Sequence, residues 1–302
     1  MINPEIHYMK HVVVAGGTGL IGRHLENELI EAGHHVQILT RNPQKSNHIK
    51  WDPANGEMDV SKMQDTQVII NLCGAGVADK RWSKSRKKEL HDSRIVPAKC
   101  IEDHLEQLPA LDHYVSASGI TCYGYDQYKP VFDETDKYGQ DYLSQLVKQW
   151  EAAADRLSGK VKVTKLRIAV VLTPEGGALP KLAKTVRQGI GSPLGSGKQN
   201  MPWIHINDLA KTFVHVVNNT TEGTFNAHAG NATNAEFMNA VAKQLGKKMW
   251  MPKVPGFVMK ILLGEMAEML LGGVVVTNER LQNTGVQFQY AVLDSALKDL
   301  LK

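Results

Sequence analysis

Glycines at positions 16, 17, 19 and 22 stand directly between an apolar run, residues 11–15, and a segment in which Ile21, Leu25, Leu29 and Ala32 recur at helical spacing. The run reads as a buried parallel strand and the segment as an amphipathic helix that Gly33 stops. Residues 36–39 read as a second strand, which completes a β-α-β unit. Gly17, Gly19 and Gly22 fit G-x-G-x-x-G, while Gly16, Gly19 and Gly22 fit the offset G-x-x-G-x-x-G. Such a turn lets main-chain N–H groups approach an anion at the positive end of the helix, so Gly16, Gly17, Thr18, Gly19, Leu20, Ile21 and Gly22 are expected to seat a pyrophosphate. A purely structural glycine turn is the competing reading. Arg23-His24 after Gly22 excludes a Walker A loop, which needs Lys followed by Ser or Thr.

A carboxylate at the end of the second strand would bind both ribose hydroxyls of NAD and repel a 2′-phosphate. No acidic residue lies between Glu31 and Asp52; Thr40 and Arg41 stand at the strand end with Lys45 nearby. A guanidinium forms charge-assisted, bidentate contacts with phosphate, so NADP(H) is expected over NAD(H). A solvated loop arginine would explain Arg41 but not the missing carboxylate.

Further apolar runs at residues 68–72, 111–116, 161–172 and 224–227 read as strands, separated by segments long enough for helices. In residues 141–157, Leu143, Val147, Trp150, Ala154 and Leu157 fall on one helical stripe. The alternation predicts an α/β fold, a Rossmann-type doubly wound parallel sheet with helices on both faces. It is assigned to residues 1–173 with a return segment at 203–229. A smaller C-terminal α/β substrate lobe takes residues 174–202, whose Gly, Pro and Lys texture reads as loops, and 230–302, where Thr233 and Glu236 form a capping box opening a helix to Leu245.

A chain of 302 residues with 42% hydrophobic content can bury a substantial core. Its charges are scattered and nearly balanced, 35 basic against 31 acidic, and the densest cluster, Lys84 to Lys88, reads as a solvated helix face, so no nucleic-acid partner is expected. Cys73, Cys100 and Cys122 stand far apart, form no Cys-x-x-Cys pair and are odd in number, so a disulfide framework is not expected and a reducing cytoplasm fits. Residues 1–10 read as a short leader without signal-peptide character. The one membrane-like stretch, 257–276, carries Lys260, Glu265 and Glu268 on one arc, which predicts an amphipathic helix rather than a span, and no membrane partner.

The residues resemble the extended short-chain dehydrogenase/reductase superfamily, in particular its atypical branch of epimerase family proteins. The likeness runs nearly end to end. It is carried by the glycine turn, Asn71-Leu72-Cys73-Gly74, Arg81-Trp82, Ser93-Arg94, Ser116-Ala117-Ser118, Tyr123-Gly124, Trp150-Glu151-Ala152-Ala153 and Gly176-Gly177-Ala178-Leu179. Further on come Gly195-Ser196-Gly197-Lys198-Gln199, the segment from Pro202 to Asp208, and a tail similar to that branch's small domain of unknown function. The resemblance implies NADP(H) at the turn, at Thr40 and Arg41, and over Leu72, Cys73 and Gly74. It also implies contacts from Glu89 and Arg94, for which an ordinary surface ion pair between the two is the alternative.

Extended members pair a serine from a strand end with Tyr-x-x-x-Lys on a helix. Ser118 fits the serine position, but Leu143 and Val147 stand where Tyr and Lys are expected. Tyr142 and Lys148 project from largely opposite helix faces, and Tyr138 with Tyr142 brings no cation. Tyr123 is left as a neutral donor to a substrate carbonyl beside Ser118, with Trp82 and Trp203 as pocket residues. No His-Glu-x-x-His or G-x-S-x-G occurs, so neither a zinc site nor a serine nucleophile is expected. His205 and Asp208 are expected to make structural hydrogen bonds. Two functions follow: an NADP(H)-dependent oxidoreductase or epimerase-like enzyme acting on a small molecule, or a non-catalytic NADP(H)-binding sensor or scaffold. A homodimer is compatible with either.

Overall fold

β1 (His11–Ala15) runs into the glycine turn and α1 (Leu20–Glu31), and β2 (His35–Thr40) pairs beside β1 in parallel register, Val12 opposite Val36. This computed structural model describes residues 9–125 and 129–302, so most of the expected leader lies outside the described residues. The chain continues through β3 (His48–Asp52), β4 (Glu57–Met58), β5 (Val68–Asn71), α2 (Lys84–Asp103), β6 (His113–Gly119), α3 (Tyr142–Asp155), β7 (Lys162–Ile168) and β8 (Val170–Leu172). It then forms α4 (Ala178–Arg187), β9 (Asn200–His205), α5 (Ile206–Asn219), β10 (Gly223–Ala227), β11 (Gly230–Thr233) and α6 (Asn234–Gln244). Four shorter helices follow: α7 (Gly256–Leu263), α8 (Ala267–Leu271), α9 (Glu279–Gln282) and α10 (Leu293–Leu300).

Eight strands form one sheet in the order β10-β7-β6-β5-β1-β2-β3-β4, parallel except where β4 turns back on β3. Because side chains alternate along a strand, Val12 and Val14 pack on one face with Leu25 and Leu29 of α1 and Phe213 and Val216 of α5. Val13 and Ala15 pack on the other face with Cys100 and Ile101 of α2 and Ala154 of α3. Helices therefore cover both faces of a Rossmann-type sheet, as the alternation predicts.

The run at 161–172 is not one strand. It breaks at Ala169, whose N–H donates to Ala227 at 3.1 Å, and β8 leaves the large sheet to pair with β9 in a second, three-stranded sheet ordered β11-β9-β8. Sheet membership thus changes at Ala169, before residue 173. Residues 174–202 are not all loop, because α4 presents Leu179, Ala183 and Val186 to a core shared with Leu172, Phe237, Val241 and Leu297. The capping box is formed, with Thr233 and Glu236 each accepting from the other's backbone N–H. The stretch 257–276 is no single helix: α7 stops at Gly264, which adopts φ 62°, α8 is one turn and a half, and the chain is extended by Val274. No helix among the described residues is long and apolar enough to cross a membrane.

Candidate functional site: a dinucleotide cleft at the carboxyl edge of the large sheet

The glycine turn is shaped by close approach. A Cβ on Gly22 would lie 2.4 Å from the Gly17 Cα, and one on Gly17 would lie 2.5 Å from Ile38 Cδ1, so helix, turn and second strand meet at distances no side chain allows. Gly16 takes φ 76°, and its carbonyl accepts from Gly19 N–H at 3.0 Å. The end of β5 passes against it, with Cys73 N and the Leu72 carbonyl carbon each 3.1 Å from where a Cβ would stand. α1 has no side-chain cap and no acid in its first turn, so its leading N–H groups and positive end are left for an anion. Leu20 packs against Gly176, while Arg23 and His24 hold Glu175 at 3.1 and 3.0 Å, bringing the loop after β8 to the rim of the turn.

At the end of β2, Thr40 Oγ1 accepts from Asn42 N–H at 3.3 Å, and the exposed Arg41 guanidinium makes no ion pair among the described residues. Lys50 on β3 stands opposite Thr40 in the ladder and donates through Nζ to the Arg41 carbonyl at 2.8 Å. Lys50 also lacks a carboxylate partner among the described residues, so two cations flank this strand end. Sequence reasoning missed Lys50 because β3, a short strand with one lysine on its open face, carried no clear pattern. The arrangement fits a diphosphate at the turn and a further phosphate at Arg41 and Lys50.

At the end of β5, Asn71 is fully buried; its Nδ2 donates to Tyr114 Oη at 2.8 Å and its Oδ1 accepts from Cys73 N–H at 3.0 Å. Burial pushes the Cys73 thiol up to about 12, which keeps it neutral. Gly74 lies against Arg94: a Cβ there would be 3.2 Å from Arg94 Cζ. Arg94 is buried, donates to the Leu90 and Ala75 carbonyls at 2.9 and 3.0 Å, and lies over the Trp150 ring. Its visible work is to fasten the loop that follows β5. Glu89 pairs with Arg86 at 2.7 Å, which corrects the ion pair considered between Glu89 and Arg94. Trp82 donates to the Val77 carbonyl at 2.9 Å and meets Tyr142 edge-on, in an apolar cluster with Leu143 and Met269.

Leu143 and Val147 are buried, so the face of α3 that carries Tyr and Lys in extended members is apolar here. The polar chemistry beneath it is a closed network. Ser118 Oγ donates to Glu151 Oε1 at 2.5 Å, and Arg167 grips the same carboxylate with Nε and Nη2 at 2.8 and 2.9 Å. Tyr138 donates to Glu151 Oε2 at 2.7 Å. Tyr123 donates to Asn226 Oδ1 at 2.7 Å and accepts from Arg167 Nη1 at 3.0 Å. Burial pushes the Tyr123 phenol far above its ordinary range. Ser118 and Tyr123 are brought together on the Glu151–Arg167 pair, so the hydroxyls expected to meet a substrate already have protein partners. Trp203 is also corrected: it is 2% exposed in the core of the second sheet, against Gly230.

His205 caps α5 by accepting from Asn207 N–H at 3.1 Å and stacks on Tyr290, and Asp208 accepts from Gln289 and Tyr290 N–H at 2.9 Å each. Both residues act structurally. Among the described residues no His, Cys, Asp and Glu group could hold a metal ion.

A cavity of about 550 Å³ lies where the segment after β6 faces α7 and α8, lined by Tyr125, Lys137, Tyr138, Asp141, Lys260 and Glu268 among others. Tyr125 is the phenol that sequence reasoning missed. Its hydroxyl is buried without a hydrogen-bond partner among the described residues, and burial, then Asp141 and Glu268, raise it so that it stays protonated. Gly272 makes room for its ring, since a Cβ there would sit 2.7 Å from the Tyr125 Cβ and Cγ.

A glycine turn opening α1, a strand end without a carboxylate and a cleft roofed by a second lobe define a nucleotide-cofactor protein of the Rossmann class. The profile of the NAD dependent epimerase/dehydratase family matches residues 12–227, and the chain belongs to that family. A domain of unknown function, DUF1731, matches residues 254–300. Epimerase family protein SDR39U1 of Mus musculus is 35% identical over 300 residues, covering 96% of this chain and 99% of its own. The SDR39U1 homolog of Arabidopsis thaliana, chloroplastic, is 33% identical, covering 96% and 86%. Among solved structures, human SDR39U1 (isoform 2) with NADPH superposes with a TM-score of 0.87 at 33% identity over 96% of this chain and 98% of that one. The nucleoside-diphosphate sugar epimerase of Corynebacterium glutamicum gives 0.80 at 25%, over 98% and 59%.

Proposed function

We propose that this protein binds NADP(H) along the carboxyl edge of the large sheet and acts as an oxidoreductase or epimerase-like enzyme on a small carbonyl or nucleotide-sugar-like molecule held between the lobes. The observation that carries the reading is the pair of cations, Arg41 and Lys50, without a carboxylate partner among the described residues, at the end of β2. Likeness to a relative crystallised with NADPH supports it. The turn from Gly16 to Gly22 holds the diphosphate, with Leu72, Cys73 and Gly74 beneath the cofactor and Glu89 and Arg94 shaping the loop above it. The cofactor, when bound, would supply hydride transfer, from its reduced form to a substrate carbonyl carbon or from the corresponding alcohol carbon to its oxidised form.

The chain's own residues orient the substrate and exclude water. Tyr125 is the donor to the substrate carbonyl: a buried hydroxyl without a partner costs about 1–3 kcal/mol, which a ligand oxygen in the cavity would recover. Ser118 acts one layer deeper, fixing through Glu151 and Arg167 the wall that Tyr123 and Tyr138 present to the cavity.

The second reading, a nucleotide-binding sensor without turnover, is favoured by the apolar Leu143 and Val147 and by the closed Ser118–Glu151–Arg167–Tyr123 network. Calorimetry with NADPH and NADH tests the cofactor reading, and equal affinities would overturn the phosphate assignment. A screen for NADPH oxidation against carbonyl compounds and nucleotide sugars separates the readings: turnover that Tyr125→Phe abolishes supports the enzyme, and tight binding without turnover supports the sensor.

A further inference from the structure

Nearly balanced overall, the chain is one-sided in the smaller lobe. Residues 176–207 hold four Lys or Arg and residues 237–264 hold five, with no Asp or Glu in either segment. Only Lys243 forms an ion pair among the described residues, with Asp294. The same two segments carry five large apolar side chains in water: Ile190, Trp250, Phe257, Ile261 and Leu262 are each 55–72% exposed.

These features form one continuous edge. Ser192 Oγ donates to the Pro252 carbonyl at 2.5 Å, Val254 N–H donates to Pro193 at 3.0 Å, and Gly195 N–H donates to Val254 at 2.8 Å. Lys253 Nζ reaches the Ser196 carbonyl at 2.7 Å, and Phe257 borders a cavity with Gly195 and Ser196. Lysines and exposed aromatic and aliphatic side chains therefore alternate along a single rim.

We propose that this rim is an interfacial surface for an anionic lipid bilayer. Trp250 and the Phe257–Ile261 stripe of α7 would enter the headgroup boundary while Arg187, Lys247, Lys248 and Lys253 meet lipid phosphates. An aromatic with an apolar body beside unpaired lysines is the composition such a boundary selects. A second copy is the weaker occupant, because an isologous contact would face these cations with themselves. Duplex nucleic acid would use the lysines but leave Ile190, Ile261 and Leu262 in water. The expectation of no membrane partner rested on the lack of a span, and lying on a bilayer is a separate matter. This inference does not depend on the cofactor reading.

The test is co-sedimentation of the full chain with vesicles of phosphatidylcholine alone and with a quarter of the lipid replaced by phosphatidylglycerol. Binding is expected only with the anionic vesicles and weakens as salt rises. Trp250→Ser with Ile261→Ser, and separately Lys247→Glu with Lys248→Glu, should each weaken it by about tenfold or more, with the circular dichroism spectrum and thermal midpoint close to the parent's as a check of folding. The second pair keeps the test decisive if the first pair fails to fold. No binding to anionic vesicles, or binding indifferent to both pairs, overturns the proposal. So does equally tight, purely lysine-dependent binding to duplex DNA, or a dimer in sedimentation equilibrium that the Trp250–Ile261 pair dissociates.

Discussion

The guanidinium of Arg167 clasps both carboxylate oxygens of Glu151, Nε to Oε1 at 2.8 Å and Nη2 to Oε2 at 2.9 Å, with the two side chains 4% and 1% exposed. Burial alone would raise the Glu151 carboxyl; the arginine's hydrogen bonds and charge outweigh it, and the net direction is down. Ser118 and Tyr138 complete its coordination. Removing one partner of such a pair strands the other charge in the interior.

Glu151→Gln should therefore destabilise the fold by about 3–5 kcal/mol, read as a lower urea midpoint. Because the folded carboxyl is depressed, its contribution is present above the ordinary carboxylate range and is lost as the pH falls through the folded value. The variant should accordingly lose less stability than the parent on acidification. An unchanged midpoint at neutral pH would refute the account of the pair.

Arg41→Ala and Lys50→Met should each lower NADPH affinity by about tenfold and leave NADH affinity near its starting value. The paired variant should bring the two cofactors close together. Calorimetry with both checks this, and loss of NADH binding to the same degree would mean that the residues hold the loop rather than the phosphate.

Tyr123→Phe and Tyr125→Phe should separate. The first removes a donor to Asn226 and an acceptor from Arg167, so thermal stability falls. The second removes a hydroxyl with no partner, so stability holds or rises while turnover of any substrate found falls by about tenfold or more. The reverse pattern would return the donor role to Tyr123.

Burial lowers His113 and His228 to about 4 each. Their folded values lie below the unfolded one of about 6.5, so the unfolded chain binds more protons between those limits and stability falls as the pH drops from about 6.5 towards 4. By pH 5 the loss is on the order of 2 kcal/mol per histidine. Urea melts at pH 7.5 and 5 should show it, and His113→Gln should reduce the difference.

The cofactor half of the molecule was legible because its signals are local: an apolar run, glycines at fixed offsets and a helical stripe lie within residues 11–33. The lobe was less legible. β8 has three residues and is continuous in hydrophobicity with β7, so periodicity could not show where one sheet ends and another begins. Apolar periodicity across 257–276 likewise hid the left-handed Gly264 that ends α7. Ser118, Tyr123, Glu151 and Arg167 sit on four separate elements, and only their convergence reveals that the two expected catalytic hydroxyls are engaged by the two ends of the Glu151–Arg167 pair. Trp203 and Tyr125 make the same point in opposite senses. An aromatic's identity gives no clue to which side of a strand or loop it occupies.

One further consequence lies in the single residue, Ala169, that separates β7 from β8. Since that splice is pinned to Ala227 and the neighbouring strand β9 passes straight into α5, the two halves of the molecule are welded through the middle rather than joined by a swivel. Heating should then melt them in one cooperative event. A guest between them would meet that fixed frame on one side and, on the other, α7 and α8, which are themselves fastened through Lys87 to Glu265 and through Gln199 to the Leu270 carbonyl.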